Sequence, residues 1–156
     1  MWTEYIAAFL TIETTNRETS NALFIEALEM MFHFRTLTES SINRYRSHAD
    51  LHLLFQEAFP TFGQLIDRMG RLAGYTHAAT FELDELASEL PACILDDGFT
   101  EMFNEASVAL ERMRLFYPEW QGPEIYDPLL SIIEWHLFTH GIGFADNEDG
   151  VYCAVP

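Results

Sequence analysis

Apolar residues recur along this chain at three- and four-residue intervals, the period of a helix with one face turned inward. Trp2, Tyr5, Ile6, Phe9 and Leu10 make the first such stripe. The polar stretch from Thr14 to Ser20 ends it, and Thr19 or Ser20 offers a hydroxyl to cap a second helix. That helix carries Leu23, Phe24, Ala27, Leu28, Met31 and Phe34 and is predicted to end near Leu37. Residues Thr38 to Ser41 reopen a third helical stretch, divided at Ser47-His48 and broken at Pro60. Thr61 then caps a fourth segment bearing Phe62, Leu65, Ile66, Met69 and Leu72, with Gly74 as its stop.

The second half of the chain reads the same way. Phe81, Leu83, Leu86 and Leu90 suit a short helix closed by Pro91, although Phe81 and Leu83 also alternate as a strand would. A stronger one starts at Asp97 or Thr100, carries Phe99, Met102, Phe103, Ala106, Leu110, Met113 and Phe116, and stops at Pro118. Asp127-Pro128 gives the clearest start signal, an acid at the N-cap followed by proline at the first helical position. Leu129, Ile132, Ile133, His136 and Leu137 follow, and Gly141 ends that helix. The pattern predicts an all-α, single-domain bundle of six or seven helices, residues 1–156, with a short irregular C-terminal tail from Gly141 on that also reads as a short strand.

Composition agrees with a packed core: 49% of residues are apolar, 13 of them phenylalanine. No repeat or linker interrupts the chain. No run approaches the ~20 apolar residues of a membrane span. The N-terminus lacks the cationic start of a signal peptide. Cys93 and Cys153 stand alone, as thiols do in a reducing compartment. A cytoplasmic protein is the expectation.

Charge changes the picture more. The chain has no lysine and a net charge of −17. Residues 72–156 hold 16 acidic side chains against Arg112 and Arg114, a net −14. Solubility asks for a net charge of magnitude only about 2–8 in a small domain. An arginine-favouring genome would explain the missing lysine, and salt adaptation the acidity, but salt-adapted chains avoid the bulky apolar residues abundant here. A field of this sign repels nucleic acid and anionic membranes and steers a basic protein surface inward.

The carboxylates are also patterned. Asp97, Glu101 and Glu105 fall at i, i+4 and i+8 on one helix face, and Glu82, Glu85 and Glu89 repeat the arrangement if their segment is helical. Like charges so spaced cost helix stability, so helix stability does not account for them. Carboxylates do accept the arginine fork that grips phosphate. The expected function is therefore a non-enzymatic acidic inhibitor or binding protein. It would dock on a basic, nucleic-acid-binding partner such as a nuclease, in the manner of anti-restriction, anti-CRISPR or immunity proteins. Glu82, Asp84, Glu85, Glu89, Asp96, Asp97, Glu101 and Glu105 would supply the charge. Tyr117 and Trp120 would be the desolvated anchors, with Tyr126 beside them.

A different class competes. His48/His52 and His136/His140 each place two imidazoles at i, i+4, a spacing that can chelate a metal from one helix face. Four such ligands would make a helical-bundle metalloenzyme, although His140 beside Gly141 also suits a helix C-terminus. The primary expectation is no metal, no cofactor and no catalytic residue. The sequence carries no phosphate-binding loop, dinucleotide fingerprint, nucleophile elbow or HExxH.

Overall fold

A computed structural model describes residues 1–79, 97–147 and 150–154. These residues are predominantly α-helical, and the fold is all-α in class. They comprise α1 (Trp2–Thr14), α2 (Arg17–His48), α3 (Leu51–Ala78), α4 (Asp97–Leu115), a 3-10 turn (Pro123–Tyr126), α5 (Asp127–Thr139) and strands β1 (Gly143–Asn147) and β2 (Gly150–Ala154). Five α-helices among the described residues replace the six or seven expected, because two long helices run through positions where the pattern predicted breaks. The short helix expected around Phe81 to Leu90 lies outside the described residues. Backbone contacts divide the chain into two compact units, residues 1–97 and 98–156.

In the first unit α3 packs against both α1 and α2. Asn16, rather than Thr19 or Ser20, caps α2: its side chain accepts the Thr19 amide at 2.9 Å. The helix then continues through Thr38–Ser41 to His48. Thr38 is buried there and its hydroxyl donates a hydrogen bond to the Phe34 carbonyl, so a polar residue remains compatible with helix. The break falls at Ala49, in the left-handed region at φ 54°, and Asp50, whose carboxylate accepts the amides of His52 and Leu53. Two residues thus reverse the chain into an antiparallel hairpin. Arg44 pairs with Glu57 at 3.0 Å across it, and the Thr38 and Thr61 hydroxyls meet at 3.1 Å.

Pro60 does not end α3. It cannot donate to the carbonyl four residues back. Beside it the Thr61 hydroxyl approaches the carbonyls of Glu57 and Ala58 at 3.0 and 2.9 Å, and the flanking Ala58 and Phe62 are buried. Packing on either side carries the helix past the bond missing at the Gln56 carbonyl, and Thr61 is a mid-helix residue and not a cap.

Gly74 is likewise internal to α3. A Cβ there would overlap the Tyr5 carbonyl oxygen and come within 2.9 Å of the Ala8 Cβ; one on Gly70 would collide with the Met1 backbone. The glycines are the contact surface for α1, which lies alongside with Tyr5, Ala8 and Ile12 buried. Leu10, counted in the predicted stripe, is exposed. The Tyr5 hydroxyl meets His77 Nδ1 at 2.9 Å, and Arg71 Nε donates to Glu4 at 3.0 Å. That hydrogen bond raises the Arg71 pKa above its ordinary value, against the opposing effect of burial.

In the second unit α4 buries Met102, Ala106, Leu110 and Met113 of the expected stripe, with Phe103 half-buried. α5 buries Leu129, His136 and Leu137. Its C-terminus is a Schellman turn: Gly141 at φ 81° donates to the Phe138 carbonyl and Ile142 to the Leu137 carbonyl, both at 2.9 Å. The apolar partners that accompany this motif, Leu137 and Ile142, are both buried. Asp127 begins the helix in αR geometry, one position later than the expected N-cap role, because the preceding 3-10 turn feeds directly into α5. The irregular tail is in fact structured: β1 and β2 pair antiparallel, with Gly143 opposite Ala154 and Asn147 opposite Gly150.

Candidate functional site

The predicted site residues fall into three groups. Glu82, Asp84, Glu85, Glu89 and Asp96 lie outside the described residues. Asp97 opens α4, and Glu101 and Glu105 follow one and two turns later with exposed side chains. Tyr117, Trp120 and Tyr126 come together. The Trp120 ring meets Tyr117 edge-on at 5.4 Å between centroids and Tyr126 at 6.1 Å.

The cluster forms because α4 ends in unsatisfied carbonyls. Trp120 Nε1 donates to the Met113 carbonyl at 2.9 Å, and the Tyr117 amide donates to that of Arg114. The first of these bonds folds the loop after Pro118 back onto the helix. Trp120 is therefore a structural tie as well as an aromatic surface, whereas Tyr117 is 65% exposed.

This fold-back creates a feature that residue counting does not show. A trough of about 790 Å³ lies between the outer face of α4 and the start of α5, lined wholly by residues 104–132. Val108, Arg112 and Phe116 form one wall at four-residue spacing, Pro128 and Ile132 belong to the other, and Met113 and Trp120 also line it. Phe116, expected in the core, is 54% exposed because it lies one residue beyond the helix, and Val108 is 66% exposed. Three exposed carboxylates, Glu105, Glu119 and Glu124, join the lining. Its one cation, Arg112, sits 5.9 Å from the Phe116 ring centroid.

The histidines divide between the two units. His52 is exposed on α3, its Nε2 at 2.8 Å from the Gln56 amide nitrogen, and His48 is the last residue of α2. His136 and His140 lie at the end of α5 with ring centroids 4.4 Å apart. His140 Nδ1 approaches the His136 carbonyl at 2.9 Å, the contact expected of an imidazole at a helix C-terminus. Among the described residues no group of three or more His, Cys, Asp or Glu side chains is placed to hold a metal ion. No described helix is long and apolar enough to cross a membrane.

No protein-family model, no curated protein and no solved structure matches this chain.

Proposed function

We propose that this protein is a non-enzymatic acidic binding protein that docks on a basic protein surface and occupies the cationic residues a nucleic acid would otherwise engage. The observation that carries this reading is the charge: a lysine-free chain at −17, with Glu101 and Glu105 exposed in successive turns of α4. Carboxylates so placed offer bidentate acceptors to arginine without any need for the partner's exact sequence. An inhibitor of a nuclease or of another nucleic-acid-binding protein is the form of function such a surface serves best.

The test uses the full-length chain as bait in host extract beside an Asp97→Lys/Glu101→Lys/Glu105→Lys variant. Glu101 and Glu105 are exposed, where substitutions move stability within roughly ±0.5 kcal/mol each, and circular dichroism checks that the variant is folded. The expected capture is a basic protein that is retained by the wild type at about 50 mM NaCl, lost at about 500 mM, and not retained by the variant. Equal retention by the two baits would place the interface away from this face.

A further inference from the structure

We propose that the trough between α4 and α5 receives an amphipathic, arginine-bearing helix of the partner protein; this rests on the acidic-docking reading above and gives it a defined seat. From Asn104 to Phe116 the wall spans twelve residues of rise, about 18 Å, which matches three turns of a docked helix. Val108, Phe116 and Ile132 present apolar surface to the i, i+3/i+4 and i+7 side chains of such a helix. An extended peptide is a poor fit. α4, the 3-10 turn and α5 around the trough offer no strand edge to satisfy its backbone, whereas a helix arrives with its backbone bonds already made.

The rim decides the sign of the occupant. Glu105, Glu119 and Glu124 outnumber Arg112 around the trough, and residues 98–156 carry ten acids against two arginines. A second copy of this chain would bring another −17 against that field, so like-charge repulsion opposes it. A basic helix gains at both levels: long-range steering, and guanidinium contacts to carboxylates flanking an apolar seam.

The probe is a phage-displayed library of helices of about 16 residues, long enough to hold some helicity alone. Its apolar face is fixed and its flanks are drawn from Arg, Gln and Glu. After panning on the full-length chain, the winners are remade as labelled peptides and titrated against wild type, Ala109→Trp, which fills the trough, and Val108→Arg, which puts a cation in it. The expected winners are arginine-flanked and bind both variants at least about tenfold more weakly, a loss of about 1.4 kcal/mol. Arginine-flanked winners that bind the variants as well as wild type would overturn the trough and leave acid-driven docking standing. Winners confined to the trough but without basic flanks would overturn the charge argument in both readings. An absence of winners overturns the proposal, as does a wild-type dimer that Val108→Arg dissociates, which would assign the trough to a second copy.

Discussion

At the residue scale, two glycines of α3 make opposite predictions. Gly74 lies against the α1 backbone with no room for a methyl group, and Gly63 has nothing within 4 Å of the position a Cβ would take. Gly74→Ala should force α1 outward and cost about 1–3 kcal/mol, the range of overpacking in a filled core. Gly63→Ala should gain up to ~1 kcal/mol from helix propensity alone. Urea unfolding of both variants reads the difference, and a neutral Gly74→Ala would disprove the close approach. Neither behaviour was legible in the sequence, where Gly74 looked like a helix stop: apolar periodicity counts large side chains, and here the contact is made by missing ones. Tyr75, one position on, adds a pH signature. Burial raises its phenol pKa above the usual value of 10, against the pull of Arg71. Below about pH 10 the phenol is neutral folded or unfolded; above it the unfolded chain ionises first, so stability falls as pH rises toward the folded value. Tyr75→Phe should soften that alkaline loss, seen as a smaller drop in urea midpoint between roughly pH 8 and pH 11 than in the wild type.

At the element scale the informative junction is Ala49-Asp50, which turns α2 back along α3. Asp50→Ala removes the acceptor of two α3 amides and should cost about 1 kcal/mol. Ala49→Gly should move the other way by a few tenths to ~1 kcal/mol, since alanine at φ 54° is strained and glycine is not. Denaturant midpoints that shift in opposite directions at unchanged slope would support the hinge, and same-sign shifts would argue against it. The sequence did place an interruption at Ser47-His48, two residues short, because the apolar rhythm lapses there. It misplaced the one at Thr38–Ser41, because a buried hydroxyl bonded to its own helix looks like a turn residue until its carbonyl partner is known. It misplaced the one at Pro60, because a proline reads as a break unless packing on both sides holds the helix through it. The trough was not legible for a related reason. The α4 stripe Met102, Ala106, Leu110 and Met113 was plain, but the outer face becomes a groove only when Trp120 reaches the Met113 carbonyl and swings the loop toward α5.

At the scale of the whole molecule the governing quantity is the charge, and it was fully legible because it needs no fold to be counted. What sequence could not say is which carboxylates face outward; among the described residues Glu101, Glu105, Glu119, Glu124, Asp127 and Glu134 of the second unit do, as do Glu13, Glu18, Glu26, Glu29 and Asp50 of the first. Their mutual repulsion has a consequence that can be measured before any partner is known. A folded chain holds its charges closer together than an unfolded one, so self-repulsion opposes folding and screening relieves it. The Debye length falls from about 30 Å at 0.01 M to about 10 Å at 0.1 M ionic strength, so most of the relief comes at low salt. The melting temperature should therefore rise steeply across that interval and level off above it. A Glu101→Gln/Glu105→Gln/Glu119→Gln variant should melt higher than wild type at low salt and respond less to added NaCl. Should the wild-type melting temperature stay flat across that interval, the carboxylates would have to be neutralised within the fold. They would then be unavailable to an arginine-rich partner, and the proposed function would lose its physical basis.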